Sequence, residues 1–443
     1  MGYKDKTSFY FLYCALILLP IYQDSPLSLF LGAAGYTLIM PLSFVFYFLI
    51  VFFMQMGKTA KLSETRNLFL LGIWLFLISI LGIIVWMAFG NSMTVLGEVL
   101  PVKAIKVLLQ YFSFPLYVYS LVSCTIQIEE ADRLFKPVLL TLFIITAIAL
   151  VERIQIPYAF KGIHFAGTFP YYRARLLTTE SSYTGMQIYC YSAVSIYYGF
   201  YCRKKRVILS ALICAAILVL TSGSRSVLLS LVLVMFCYLI IAGKKLNKMA
   251  VSTLFLALIL LVCFIVFAMP RIVSITQSDL SNYTSVATRL YTAVLGLGIG
   301  CVFPLGVGCA VYMGILQYSM QQYLWLFDLL PIRLNTAEIQ RLITSGSDEA
   351  LAVKSGILHY NIYWGILGTI FLLKIFGNVS KQLDDERIPR NEILRATLWG
   401  AVLMLIISTQ FQFEFWMMFG ILYSLSIRKP WIGKIGQEGI QKD

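Results

Sequence analysis

The chain has 443 residues, of which 59% are hydrophobic and only 13% are charged, and its formal net charge is +14. Soluble globular proteins contain roughly 45–50% apolar and about 25% charged residues, so this composition excludes an ordinary soluble fold. The apolar residues form continuous runs of about 17–25 residues, the length of a membrane-spanning helix, and do not alternate as in an outer-membrane barrel. We therefore predict an all-α polytopic membrane protein.

The apolar runs predict about twelve transmembrane helices within one membrane domain, 1–443. Lys and Arg residues gather in cytoplasmic loops because they orient the spans, so the positive charge predicts topology and not nucleic-acid binding. A cytoplasmic N-terminus places most basic residues inside, and the even number of spans returns the C-terminus to the same side. In chain order the predicted spans are 8–22, 27–55, 68–89, 105–125, 136–151, 183–201, 206–221, 224–242, 249–268, 356–376, 395–409 and 415–427.

Two long segments fall on the outer side in this topology. The first outer loop is 152–182, and the large outer loop, 269–355, lies between spans nine and ten. Parts of the large loop are rich in apolar and aromatic residues, which argues against disorder and predicts short helices at or dipping into the outer interface. The Gly-rich stretch 296–308 predicts close helix packing or a re-entrant bend. Cys301 and Cys309 are eight residues apart, so a disulfide remains open.

The outer segments are notably basic, which the topology rule does not explain. Arginine suits bidentate capture of phosphate, so the group predicts a ligand with phosphate or diphosphate groups. The alternative is that these side chains are solvated or contact anionic lipid headgroups. The group comprises Arg153, Lys161, Arg173, Arg175, Arg225, Arg271, Arg289, Arg333, Arg341 and Lys354.

Two short stretches place polar residues at predicted helix starts on the outer side. In 169–185, Arg173 and Arg175 precede Glu180, and Ser181 and Ser182 are placed to cap the next helix. Glu180 is either a functional acid or an acid that favours the helix dipole. In 220–230, Gly223 permits a sharp turn and Ser224 precedes Arg225 at membrane depth, where a charge is costly unless it is paired or lines a wet cavity.

His359 opens the span that follows the large outer loop, and it is one of two histidines in the chain. A neutral imidazole beside a wet cavity is suited to take a proton from a hydroxyl near pH 7. An interfacial or capping histidine is the alternative. His164 has no such context. The sequence contains no P-loop and no Cys/His metal cluster, so we predict no metal and no cofactor.

In their order along the chain, these stretches resemble the bacterial Wzy-type polymerases of O-antigen and capsule and the related O-antigen ligases. Members of that superfamily have an Arg-containing outer segment leading to a Glu–(Pro/Ser)–Ser element at a helix start. Here Arg173 and Arg175 are followed by Glu180–Ser181–Ser182. A (T/S)xSR turn between two spans is matched by 222–225.

The later motifs complete the resemblance. Arg289 precedes Gly300 with a spacing similar to an Arg–x–Gly pattern of such polymerases, and 304–308 is similar to a Gly-rich "PLxGxG" piece. His359 and Asn361 resemble a His–Asn pair that opens a span. This chain departs from the pattern twice: Glu180 is not followed by Pro, and Tyr360 separates His359 from Asn361.

The resemblance implies a metal-independent, GT-C-like glycosyltransferase in the bacterial cytoplasmic membrane, with its active site facing outward. Donor and acceptor would be oligosaccharide repeat units on undecaprenyl diphosphate, and a separate chain-length regulator is an expected partner. His359 is the expected proton acceptor, with Glu180 as second candidate. The residues expected to bind diphosphate or substrate are Arg173, Arg175, Arg225, Arg289, Arg333, Arg341 and Asn361.

Two other functions remain open. An O-antigen ligase, which attaches finished polysaccharide to a lipid A core, would share these motifs. A flippase or other transporter of lipid-linked oligosaccharide is less well matched, because transporters usually show internal repeats and polar residues near the bilayer midplane. Here no repeat is seen and the span centres are nearly free of charge.

Overall fold

The structure is a computed structural model that describes residues 3–54, 62–165, 169–181, 183–222, 241, 284–329, 335–346, 351–407 and 412–428. These residues are mostly helical, and their only paired strands form the short hairpin Thr94–Val95 and Glu98–Val99. The helices are α1 Tyr3–Leu18, α2 Ser28–Leu31, α3 Ile39–Met54, α4 Ser63–Ala88, α5 Leu100–Gln127, α6 Ala131–Gln155, α7 Thr184–Tyr201, α8 Lys205–Ser222, α9 Thr284–Val302, α10 Tyr312–Gln322, α11 Ala337–Thr344, α12 Gly356–Leu383, α13 Asn391–Ile407 and α14 Phe413–Ile427.

Five of these helices, α4, α5, α6, α8 and α12, are long and apolar enough to cross a membrane. Shorter apolar helical stretches are Thr7–Ile21, Ile39–Phe52, Ala287–Val302 and Phe413–Ile427. The prediction of a helical membrane protein is confirmed at this level. Ten of the twelve predicted spans fall on helices of the described part, and the other two, 224–242 and 249–268, lie outside it.

The second predicted span, 27–55, is wrong in its first twelve residues, which are not part of one continuous helix. The helix α3 begins only at Ile39, and the residues before it form α2 and a 3₁₀ turn at Gly32–Gly35. Gly32 ends α2 with a φ of 56°, a left-handed conformation that glycine tolerates best. Gly35 lies so close to the backbone of Leu27 that it has no room for a Cβ. The helix predicted from this apolar run is therefore interrupted by two glycines and not by polar residues.

Tyrosine hydroxyls satisfy backbone groups at the end of α1. The last carbonyls of a helix have no partner within it, and Pro20 lacks the N–H that would bond to the Leu16 carbonyl. Tyr117 of α5 donates to that carbonyl at 2.6 Å, and Tyr191 of α7 donates to the Ile17 carbonyl at 2.6 Å. These bonds fasten α1 to α5 and α7, in the centre of the described bundle.

The helices α5, α12 and α14 run in one direction and α4 runs in the opposite one. Tyr423, near the end of α14, accepts a hydrogen bond from the backbone N–H of Glu64 at the start of α4. Ser426 of α14 donates to Gln382 near the end of α12 at 2.9 Å. We call the end at which α5, α12 and α14 begin, and α4 finishes, the upper end of the bundle.

A helical hairpin enters the bundle from the upper end. It consists of α9, a turn at 303–309 and α10, and its two arms meet again where Tyr291 donates to the Met320 carbonyl at 2.7 Å. The turn packs between α4 and α12, with Gly308 against Ser79 and Gly306 against Tyr363. Its Cys309 N–H donates to the Ser79 hydroxyl. The predicted close packing and bend of 296–308 are both present.

A break in α12 receives the turn of this hairpin. Gly365 has a φ of 71° inside α12, so the carbonyls of Ile362 and Tyr363 lose their partners within the helix. The N–H groups of Val307 and Gly308 bond to them at 3.0 Å each, and the Leu367 N–H donates to the Pro304 carbonyl. A broken helix is tolerated in a membrane protein when neighbouring segments satisfy its backbone in this way. Gly365 lies nine residues after Gly356, about 13 Å below the upper end.

Candidate functional site

The site is built on the first turn of α12. Ser355 is the N-cap, and its hydroxyl accepts a hydrogen bond from the Leu358 N–H at 3.4 Å. Serine at this position satisfies one of the orphan N–H groups of the helix start. The His359 N–H bonds to the Ser355 carbonyl at 2.8 Å, so His359 lies in the first turn at the upper end.

The His359 imidazole is held by tyrosines and keeps one nitrogen unused. Nε2 lies 2.8 Å from the hydroxyl of Tyr363, one helical turn further on. The rings of Tyr312, Tyr360 and Tyr363 surround the imidazole edge-on, with centroid distances of 5.4, 5.8 and 4.8 Å. Nδ1 is buried and has no hydrogen-bond partner among the described residues. When Nε2 carries the proton and donates a hydrogen bond to the Tyr363 hydroxyl, Nδ1 is a free base.

Two lysines lie near this imidazole, and an arginine of α9 lies at the same end of the bundle. The ammonium groups of Lys103 in α5 and Lys354 before α12 both act on it electrostatically. The Lys354 N–H bonds to the Thr292 hydroxyl at 3.1 Å, which brings α9 to the same place. Arg289 lies one turn before Thr292 on α9 and is half-buried. We call Lys103, Arg289, Lys354 and His359 the α12-start cluster.

Cations beside a neutral base suit the transfer of a group from a diphosphate. Fixed positive charges stabilise negative charge that develops on a leaving group, and the imidazole can accept the proton of an attacking hydroxyl. Lys103 was missed in the sequence, although its position at the start of a predicted span was a signal. Its neighbour one turn on, Lys106, pairs with Glu98 at 3.2 Å.

The structure places Arg175 inside the 156–183 loop. Its side chain is buried, and its guanidinium lies 3.7 Å from the centre of the Tyr171 ring and 5.0 Å from that of Phe169. Nη1 donates to the Thr179 carbonyl at 3.1 Å. Burial, and then the nearby Glu152 carboxylate, raises the pKa of the Tyr171 phenol. Arg175 is therefore packed within the loop and holds it together.

Glu152, at the end of α6, anchors the same loop. Its two carboxylate oxygens accept the backbone N–H groups of Arg175 and Leu176, each at 2.7 Å, and its side chain is fully buried. A second buried pair, His164 and Asp24, joins the loop to the segment after α1 at 2.9 Å. Sequence inspection attached no role to Glu152, since a carboxylate at the end of an apolar run looks like a surface charge.

Arg173 and Glu180 are exposed, so both are accessible to a ligand. The predicted serine cap of the helix after Glu180 is wrong for Ser181. The helix α7 begins at Thr184, and its N-cap is Tyr183, which makes no side-chain cap bond. Ser181 uses its carbonyl to accept the Thr184 hydroxyl at 2.8 Å. The chain turns once more before the helix starts, which the sequence spacing does not reveal.

Asn361 joins α12 to α9 and has no amide group left for a ligand. Its Nδ2 donates to the Gly296 carbonyl at 2.9 Å, and its Oδ1 accepts the Thr369 hydroxyl at 2.8 Å. A Cβ on Gly300 would overlap this amide, so Gly300 is the residue that lets Asn361 approach. Two positions of the family resemblance, Gly300 and Asn361, thus form one packing contact.

Arg341 is exposed at the end of α11, a helix fixed to α10 by the bond from Gln317 to the Ile343 carbonyl. Arg225, Arg333 and Ser182 lie outside the described residues. Within the described ranges, no group of three His, Cys, Asp or Glu side chains could hold a metal ion. Cys301 and Cys309 are free thiols.

No protein-family model matches the chain, and no curated protein shows significant sequence similarity to it. The resemblance to Wzy-type polymerases therefore rests on the motifs and on their order. Of those motifs, the structure brings Arg289 and His359 to one end of the bundle, with Lys103 and Lys354 beside them.

Proposed function

We propose that this chain is a polymerase of undecaprenyl-diphosphate-linked oligosaccharide repeat units, acting at the outer face of the bacterial cytoplasmic membrane. The proposal includes twelve spans, a GT-C-like arrangement and cytoplasmic termini. The upper end is then the outer face, and the bilayer and a chain-length regulator are the protein's partners. The observation that carries it is the half-buried imidazole of His359, whose buried Nδ1 has no partner among the described residues and which lies near Lys103 and Lys354.

In the proposed reaction, a sugar hydroxyl of the incoming repeat unit attacks the anomeric carbon of the growing chain. The new glycosidic C–O bond forms as the C–O bond to the diphosphate breaks, and undecaprenyl diphosphate leaves with that electron pair. The hydroxyl proton passes to His359 Nδ1, while Nε2–H donates to Tyr363. Lys103, Arg289 and Lys354 neutralise the charge on the leaving diphosphate.

Two of the earlier candidates change role in this proposal. Arg175 and Asn361 are assigned to loop packing and helix packing, because both side chains are buried and hydrogen-bonded to neighbouring segments of the protein. Arg173, Glu180 and Arg341 remain accessible candidates for substrate contact. Arg225 and Arg333 remain predictions from the sequence.

The test is complementation of a deletion strain with wild type, His359→Ala, Lys103→Ala and Lys106→Ala, at matched membrane levels. Lys106 is the control, because it lies one turn from Lys103 in the same helix and pairs with Glu98 at the surface. We expect the His359 and Lys103 variants to leave a single repeat unit where wild type and the Lys106 variant give a ladder of chain lengths.

Other patterns would overturn the proposal. In the deletion strain, a ladder that accumulates on undecaprenyl diphosphate and never reaches the surface would indicate a ligase. Normal polymer with both variants would contradict the assignment of the cluster. Purified wild-type protein should also lengthen lipid-linked glycan without a membrane gradient, and if it only moves the lipid across vesicles it is a flippase.

A further inference from the structure

A second cavity at the upper end differs in chemistry from the α12-start cluster. It is narrow and lies between the segment after α1, the middle of α5, the 169–183 segment and the start of α14. No lining residue is charged. The lining instead combines three amide side chains and two threonines with aromatic rings, and its members include Gln23, Gln110, Gln412, Thr179, Phe114 and Phe413.

One residue of the cavity lining has a buried polar atom without a hydrogen-bond partner among the described residues. Gln412 is only 6% exposed, and its Oε1 has no hydrogen-bond partner in the described structure. A buried acceptor without a donor costs about 1–3 kcal/mol, so a ligand that supplies a donor is favoured. The Gln23 amide cannot supply it, because its Nε2 donates to Glu414 and to the Pro20 carbonyl.

With an unused acceptor and no cation in its lining, the cavity favours hydroxyl groups over phosphate. An acceptor oxygen repels a phosphate oxygen, whereas a sugar hydroxyl donates to it and accepts from amide N–H groups at the same time. The aromatic part of the lining, Phe114 and Phe413, has ring centroids 5.2 Å apart and offers apolar faces to the carbon side of a sugar ring. Because the cavity is narrow, it fits the edge of one sugar and not a whole oligosaccharide.

Ring contacts connect this cavity to the catalytic candidate. Phe114 contacts Tyr111 at 6.3 Å, Tyr111 contacts Tyr360 at 6.2 Å, and Tyr360 contacts His359 at 5.8 Å. A sugar in the cavity is therefore three ring contacts away from the imidazole. It is too far to be the sugar that reacts there, but near enough to belong to the same glycan.

We propose that the cavity lined by Gln110, Gln412, Phe114 and Phe413 is a glycan subsite, which binds a non-reacting sugar of the repeat unit through its hydroxyl groups. This inference rests on the proposed function. It separates two tasks: the α12-start cluster binds diphosphate, and the cavity recognises sugar. Glycan selectivity then lies with uncharged residues that no charge-based search would find.

The test compares two probes on the purified full-length protein: an undecaprenyl-diphosphate-linked repeat unit and undecaprenyl diphosphate without sugar. We expect Gln412→Leu to weaken binding of the sugar-bearing probe about ten-fold and to leave binding of the bare lipid diphosphate unchanged. Lys103→Ala should weaken both. The control is Gln155→Leu, a glutamine that is exposed at the end of α6.

A second variant keeps the test valid if the first one fails to fold. Gln110 is half-buried in the middle of α5, and Gln110→Leu should show the same selective loss even if Gln412→Leu is unstable. Equal losses for the two probes, or no loss for either, would overturn the subsite. If the wild type polymerises glycan while both leucine variants bind it normally, only the subsite fails. If the wild type neither binds nor polymerises the lipid-linked unit, the proposed function fails with it.

Discussion

The 156–183 loop and the start of α12 both carry basic residues in suggestive patterns, but they use them in opposite ways. In the loop, the guanidinium of Arg175 is buried against Tyr171 and Phe169, and Glu152 is committed to two backbone N–H groups. At the start of α12, Lys103 and Lys354 are half-buried, and Nδ1 of the His359 imidazole has no hydrogen-bond partner among the described residues.

The difference shows that an arginine in an outer segment is not evidence of a phosphate site until its partners are known. Arg175 cannot reach a diphosphate without exposing the two rings beneath it and losing the Thr179 carbonyl. Substitutions that destabilise the 156–183 loop and substitutions at the start of α12 should therefore affect stability and activity differently.

The largest effect is expected at the break in α12. Gly365→Ala should lower the free energy of unfolding by about 3 kcal/mol or more, since a Cβ would overlap the Pro304 backbone at a residue whose φ is 71°. The measurement is the thermal midpoint of the detergent-purified protein, followed by size-exclusion chromatography.

Gly377→Ala is the matched control for this change. It lies in the same helix, and a Cβ there would meet nothing within 4 Å. Equal midpoints for the two variants would show that the hairpin turn does not pack into α12 as described.

The second effect concerns the anchor of the loop. Glu152→Ala should cost about 2–4 kcal/mol, because it leaves the buried N–H groups of Arg175 and Leu176 without acceptors. Glu152→Gln should recover part of this loss, since one oxygen remains. Glu130→Ala at the N-cap of the same helix is the control, because Glu130 is 63% exposed in its pair with Arg133 and makes no side-chain cap bond. A Glu152→Ala protein as stable as this control would exclude the anchor.

The third effect separates stability from activity at neighbouring arginines. Arg175→Ala should lower stability by about 2 kcal/mol, from lost stacking on Tyr171 and the lost bond to Thr179. Arg173→Ala should leave stability unchanged, because that side chain is exposed. Thermal midpoints and polymer ladders of the two variants would be recorded together. A stable Arg175→Ala protein without activity would return Arg175 to the binding site.

The helical architecture was predictable because apolar runs of this length leave few alternatives. Eight of the described helices longer than ten residues begin and end within a few residues of predicted spans, whereas α3 begins twelve residues late because of the bends at Gly32 and Gly35. The bend at 303–309 was foreseen from its glycines. How deeply this turn enters the bundle was not foreseen, because the depth depends on the break at Gly365. In the sequence, Gly365 looks like an ordinary glycine in an apolar helix.

The candidate site was only partly predictable. His359 and Arg289 stood out as polar residues at the ends of apolar segments, which is a local signal. Gln412 gains meaning only from the cavity wall, whose other residues are distant in the chain, and no local pattern marks it. Lys103 and Asn361 had local signals, but their roles depend on distant partners: Lys103 lies near His359, and the partner of Asn361, Gly296, is 65 residues away.

The smallest expected change in stability is at the start of α12, the second of the two regions compared above. Tyr363→Phe removes only the hydroxyl that meets His359 Nε2, so the unfolding free energy should change by no more than about 1 kcal/mol. The rate of glycan polymerisation should nevertheless fall about ten-fold, because the phenol fixes the ring and the proton position that leave Nδ1 as the base. Tyr318→Phe on α10 is the control, since that side chain is 61% exposed. If Tyr363→Phe polymerises at the wild-type rate, the tyrosine bond does not prepare His359 for catalysis, and the imidazole is held there for packing alone.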